Sequence, residues 1–236
     1  MTKKDYAIIA FIAIVSVLAG FALRGYTQTY STTESEHEWH GGYGGRYAHS
    51  DSEDITGEEW TEDYIAKLPK QDLSQEEKDG LLWMREEEKL ARDVYIKLYD
   101  KWGIRVFDNI SRSEQHHMDM VKDLIDRYGL EDPVKDDTVG KFTNPKLQEL
   151  YDKLIAQGYK SEVDALKVGA TIEDVDIKDL NEWSAKTDND DIKFVYSNLK
   201  HGSENHMRAF VRMLESYNAT YSPQFISEEE YKAIIR

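Results

Sequence analysis

Six side chains in this sequence combine metal-ligating chemistry with helical spacing: Glu88, Glu114, His117, Glu173, Asp176 and His206. Carboxylate oxygen and imidazole nitrogen are the donors that hard and borderline divalent metals accept. Each of the six falls on a beat of an apolar stripe with alternating steps of three and four, the mark of a buried helix face. The first stripe reads Leu81, Met84, Glu88, Ala91, Tyr95, Leu98, and the second Phe107, Ile110, Glu114, His117, Val121. The third reads Leu166, Gly169, Glu173, Asp176, Leu180, Trp183, and the fourth Leu199, Ser203, His206, Phe210, Met213, Tyr217. An uncompensated carboxylate in a core costs several kcal/mol, about as much per group as a large fraction of a domain's net stability. The stripes contain no lysine or arginine, so two divalent cations, which balance four carboxylates, are the simplest compensation.

Spacing supports a shared site. Residues at i and i+3 lie on one helix face, so Glu114 and His117 can grip one ion. Di-metal helical bundles use one Glu from each of two helices and Glu-x-x-His from each of the other two. Glu88 and the Glu114/His117 pair fit that plan. The fourth helix departs from it, with Ser203 three residues before His206, and the third offers Glu173 plus Asp176 instead. Each member has an ordinary alternative. Glu114 can close a capping box with Ser111, Asp176 can be a surface acid, and His206 a satisfied core histidine. Glu86 and Glu87 read as a solvated charge run from which phase alone separates Glu88. Glu204, His116 and His201 are off the stripes. Tyr95, two turns beyond Glu88, is the candidate catalytic residue, able to hydrogen-bond a ligand or relay an electron.

The elements that must position these residues are helices. Ser74 and Glu77 form a capping box before the first long helix, which ends at Gly103. Asn144, Pro145 and Gly158 bound a short helix in the connection between the second and third long ones. A further helix opens at Ser161, and the last long helix runs from about Asp190 to Tyr217. No strand pattern stands out. The fold class expected is all-α: an antiparallel four-helix bundle with an extra short helix in its crossover.

The rest of the chain frames this unit. Residues 1–26 hold Lys3 and Lys4, a largely apolar run of seventeen residues from Ala7 to Leu23, and Arg24. They read as a transmembrane anchor with the remainder exported, or as a signal peptide if cleaved. Residues 27–72 read as a flexible linker carrying His37, His40 and His49, residues 73–217 as the helical unit, and 218–236 as a tail. A net charge of −16 argues against nucleic-acid binding and suits a protein that gathers cations. The absence of cysteine excludes disulfides, thiolate catalysis and iron–sulfur clusters.

The motifs resemble a known superfamily. "EKLARDVY" from Glu88 to Tyr95 is similar to the first-helix rubrerythrin-type pattern E-x-x-A-R-x-x-Y, and "EQHH" from Glu114 to the second-helix E-x-x-H. More closely, "MREEEKLARDVY", "SEQHHMDMV", "VGATIEDVDIKDL" and "GSENHMRAF" resemble the ferritin-like family named domain of unknown function 2202, over about residues 73–217. The resemblance implies a ferritin-like bundle with a carboxylate-bridged di-metal centre, iron first, manganese or zinc as alternatives. By matched positions it implies Glu88, Glu114, His117, Glu173 and His206 as ligands, whereas Asp176 rests on phase and charge. The function expected is an oxidoreductase in iron oxidation or in peroxide or O2 reduction, and the alternative is a membrane-tethered metal-binding or delivery protein. Expected partners are metal ions, O2 or peroxide, the membrane, and a second copy of the chain in a homodimer.

Overall fold

The computed structural model describes residues 64–236, and the described part is all-helical. After a helical turn at 64–67 come α1 (Gln75–Trp102), α2 (Arg105–Tyr128), α3 (Pro145–Gly158), α4 (Glu162–Ser184), α5 (Asp190–Ser216) and α6 (Glu228–Ile234). The anchor expected at 1–26 and most of the linker lie outside the described residues. Residues 64–72, read as part of that linker, contact the fold: Ile65 is buried, and Arg127 donates to the carbonyls of Ile65 and Leu68.

Local chemistry sets the boundaries. Ser74 Oγ accepts from the Glu77 amide while the Glu77 carboxylate accepts from the Ser74 amide, so two orphan donors of α1 are satisfied reciprocally. Gly103 closes α1 at φ +67° and Gly129 closes α2 at φ +67°, a backbone region where a side chain would be strained. Asn144 caps α3 ahead of Pro145, and Ser161 caps α4.

Register contacts give the topology. Arg85 reaches the Met118 carbonyl while Tyr95 packs on Phe107, so α1 and α2 run antiparallel. Asp176 pairs with Ser203 and Asn181 with Lys200, so α4 and α5 do too. Trp83 with Asp179 and Tyr95 with Gly169 set α1 against α4, and Phe107 with Phe210 and Tyr128 with Asp191 set α2 against α5, again antiparallel. Hence α2 and α4 point the same way, and the chain must cross between them through the segment carrying α3. Apolar side chains gather in two clusters, one around Leu98, Phe107, Leu166 and Phe210, the other around Leu81, Leu124, Leu180 and Leu199. The polar side chains of the stripes lie between them in sequence.

Buried charges fasten the crossover. Asp93, fully buried, accepts from Lys89 Nζ (2.5 Å), Arg92 Nε (2.9 Å) and the Gly140 amide (2.8 Å). Arg85 pairs with Asp132 at 3.1 Å. Glu86 and Glu87, read above as solvated, are buried instead. The Glu86 carboxylate accepts from the amides of Thr143 and Asn144 at the entry to α3, and Glu87 accepts from Trp83 Nε1 at 2.8 Å. The C-terminal segment docks with Asp174 at its centre, which accepts from the Tyr221 hydroxyl and from the amides of Gln224 and Ile226; Glu230 adds contacts to Asn181 and Lys200, and Tyr231 and Ile234 join the core.

Replacing Asp93 by Ala leaves Lys89 and Arg92 buried with one partner fewer and frees Gly140. Loss of one member of a buried charge network costs about 3–5 kcal/mol. Urea unfolding of D93A should show that loss, with the midpoint lowered to match; an unchanged midpoint contradicts the crossover's dependence on this carboxylate.

Candidate metal centre

The four long helices bring the polar beats of their stripes to one level. Glu88 comes from α1, Glu114 and His117 from α2, Glu173 and Asp176 from α4, Ser203 and His206 from α5, and all seven are buried. Two triads result, Glu88 with Glu114 and His117, and Glu114 with Glu173 and His206, each offering donor atoms within 4.8 Å of one another. Either triad can hold a metal ion. Glu114 belongs to both. Its Oε2 lies 2.8 Å from His117 Nδ1 and its Oε1 3.0 Å from His206 Nδ1. Glu88 closes the first triad at 3.2 Å from His117 Nδ1, and Glu173 the second at 3.4 Å from His206 Nδ1. The imidazole rings face each other with centroids 5.5 Å apart.

Proximity here is not hydrogen bonding throughout. Glu114 Oε1 and His206 Nδ1 are close but lack the alignment of a hydrogen bond, and both are left without a partner. Glu88 Oε1 and Asp176 Oδ1 are orphaned as well. Buried polar atoms without partners are rare because each costs about 1–3 kcal/mol. Four of them in one cluster of oxygen and imidazole nitrogen fit a cation.

Surrounding groups fix the donors. Ser113 Oγ lies 2.9 Å from His206 Nε2, leaving Nδ1 to face the carboxylates. Ser203, where a Glu-x-x-His pattern would place a carboxylate, donates to Asp176 Oδ2. Asp176 stands outside both triads, and burial together with the charge of Glu88 raises its carboxyl well above the usual range. Tyr95 donates to Glu173 Oε1 and approaches the Gly169 carbonyl at 3.3 Å. Gly202 makes room for His117, since a Cβ there would collide with Nε2. Ser113 and Gly202 carry no sequence signal that could have singled them out; their small size matters only once the helices pack.

Without metal, protons do the compensating. Burial pushes Glu88 up to about 7 against the pull of His117. Burial also raises Glu173, with the Glu114 charge adding to it. Burial works against the charge on His206, but Glu114 and Glu173 raise it to about 10. His117 is likewise raised, by Glu114 and Glu88 in spite of burial. Burial opposes ionisation of Glu114 too, yet His206 and His117 together hold it below the usual range.

These features define a class: an all-helical protein with a buried glutamate–histidine site able to bind metal. Residues 77–236 match the family described as "Uncharacterized protein domain (DUF2202)", and the chain belongs to it. It is 65% identical over 173 residues to "Uncharacterized protein MJ0754" of Methanocaldococcus jannaschii, an alignment covering 73% of this chain and 94% of that protein. The crystal structure of hypothetical protein MJ0754 from Methanococcus jannaschii DSM 2661 aligns with a TM-score of 0.71 at 65% identity, over 72% of this chain and 97% of that one.

The shifts set a pH dependence. Glu88 rises from 4.5 to about 7 and His206 from 6.5 to about 10, so both take up protons in the fold before they do in the unfolded chain. Their contribution to the metal-free fold is complete below about pH 4.5 and is lost as pH climbs through 7 toward 10. Metal binds the deprotonated donors, so its contribution grows in the opposite direction. Thermal melts with chelator and with added ferrous ion or zinc should therefore diverge between pH 5.5 and 8.5, metal-free falling relative to loaded. Parallel curves would contradict protons and metal sharing one site.

Proposed function

We propose that Glu88, Glu114, His117, Glu173 and His206, with Asp176 beside them, hold two divalent metal ions, iron first, and that the protein is an oxidoreductase acting in iron oxidation or in peroxide or O2 reduction. On this reading the four long helices form a ferritin-like bundle and α3 sits in its crossover. One observation carries the proposal: the two oxygens of Glu114 are divided between two histidines, each with a further glutamate, so a single buried carboxylate is common to both triads. A structural single-ion site has no use for the second triad.

Bound iron would supply one-electron chemistry between its ferrous and ferric states. The chain's own residues supply the setting. Tyr95 holds Glu173 through its hydroxyl and, with Phe107 and Phe210, forms an aromatic wall of rings 5.3–6.1 Å apart that closes one side of the site to water. Burial raises the Tyr95 phenol well above its usual range, with the Glu173 charge adding to it. Its proton therefore stays on the hydroxyl, which acts as a hydrogen-bond donor. Ser113 steadies His206, and Ser203 steadies Asp176.

Metal analysis of the full chain tests this. The wild type should carry about two ions, H117A or H206A about one, and E114A close to none, because only Glu114 serves both triads. Helical content by circular dichroism checks that each variant is folded. In the iron-loaded wild type, visible absorption bleached by dithionite and restored by air or peroxide supports the oxidoreductase. Tight zinc with no response to reductant leaves metal binding and removes the redox function. An E114A protein that keeps one ion removes the shared-carboxylate site.

A further inference from the structure

We propose that the cavity between α1, α3 and α4 binds dioxygen, an apolar diatomic gas, and is its port to the metal centre. The delivery half of the proposal rests on the two-metal reading above; the gas site does not. Six side chains line the cavity: Glu87 and Leu90 of α1, Leu147 and Leu150 of α3, Ile172 and Val175 of α4. About 20 Å³ is open to the centre of a water-sized sphere, room for one molecule of that size.

The lining selects the occupant. Five of the six side chains are aliphatic. The sixth, Glu87, already accepts from Trp83 Nε1 at 2.8 Å. A divalent cation needs several oxygen ligands in place of its water, and one carboxylate does not provide them. Hydrogen peroxide would surrender hydrogen bonds at both ends for one acceptor, and burying unpartnered hydroxyls is costly. Dioxygen has no hydrogen bonds to lose, and small apolar cavities stay dry and take apolar guests such as xenon. The choice between the two oxidants thus falls on dioxygen for this route.

Position connects the cavity to the site. Glu87 precedes Glu88, and on α4 Ile172 and Val175 alternate with Glu173 and Asp176. The charges of Asp179, Asp176 and Glu88 all act on Glu87. Glu87 lines the aliphatic chamber and is the chain neighbour of Glu88, as Ile172 is of Glu173 and Val175 of Asp176. The outer wall is α3, held at its start by Glu86 through the amides of Thr143 and Asn144. That gives the short crossover helix a role: it roofs the groove between α1 and α4 with Leu147 and Leu150.

Xenon tests the cavity without metal. In methyl NMR of the full chain under xenon pressure, Leu90, Leu147, Leu150, Ile172 and Val175 should shift saturably while Leu199 and Leu214 of α5 stay in place. Leu150→Phe, or Leu147→Phe should the first variant not fold, fills the space and should abolish those shifts. Absence of saturable shifts in the wild type overturns the proposal. The second readout is the oxidation of ferrous-loaded protein, in which one dioxygen takes one electron from each of two ferrous ions and two protons from solvent and leaves as hydrogen peroxide. Oxidation by dioxygen should slow about tenfold in L150F, equivalent to about 1.4 kcal/mol of barrier, while oxidation by added peroxide stays within about twofold. Equal slowing with both oxidants, or an unchanged dioxygen rate, overturns the port. Failure of the two-metal reading shows differently, as no ferrous uptake by a wild type whose xenon shifts are intact.

Discussion

Four carboxylates and two imidazoles meet at the middle of this fold, and among the described residues none of them is bonded to a lysine or arginine. Left ionised and unpaired, each carboxylate would cost several kcal/mol, against a net stability of about 5–15 kcal/mol for a whole domain. The surroundings share out that cost. Two imidazoles carry raised proton affinities and face Glu114 from both sides. Asp176 and Glu88 are pushed toward their neutral forms, and hydroxyls from Tyr95 and Ser203 donate into the cluster. The arrangement is compensated by protons as it stands, and cations can replace those protons because the donor atoms already converge.

The positive charges missing from the site are nearby, on the other faces of α1. Arg85, Lys89 and Arg92 are buried like Glu88, and they turn toward the crossover, paired with Asp93 of α1 itself and with Asp132 and Asp137 of the crossover. From Arg85 to Tyr95 every residue of α1 is buried. A helix so charged can be buried all round only if each face has its own partners. One face carries Glu88 to the site, another carries the basic residues to the crossover, and Glu86 and Glu87 reach the start of α3 and Trp83. Sorting acids and bases onto separate faces keeps lysine and arginine from neutralising the ligands, which would remove any need for metal.

This explains what the sequence made legible. The stripes, caps and Glu-x-x-His spacing are local, and local rules recover them: the expected beats from Leu81 to Leu98, Phe107 to Val121 and Leu166 to Trp183 are buried. The α5 stripe holds to Phe210 and then drifts, so that Leu214 is buried where Met213 was expected, because 3.6 residues per turn does not keep step with 3.5. Glu86 and Glu87 could not be told from a solvated run, since their partners lie more than fifty residues away or reside in a tryptophan that is itself half-buried. Nor could the docking of the C-terminal segment be read, because Asp174 contributes to it by accepting backbone amides that have no sequence signature.

Ser203 shows how the departure from the symmetric ligand plan can be neutral in charge and still matter. A Glu at that position would give α5 the same Glu-x-x-His pair as α2. Here the hydroxyl of Ser203 donates to Asp176, a carboxylate on the facing helix one turn from Glu173, so the number of acids is kept while one crosses from α5 to α4. Asp is one methylene shorter than Glu, and Ser occupies the space its own longer replacement would have filled. The acid therefore stops short of both triads and keeps one buried oxygen without a partner. The two triads are consequently unequal: Asp176, held by Ser203 through one oxygen, leaves its other oxygen unpartnered near Glu88, while Glu173 and His206 are tied to Tyr95 and Ser113. Two ions held there would meet unequal surroundings, the second beside donors tied to Tyr95 and Ser113, the first beside the unpartnered oxygens of Glu88 and Asp176.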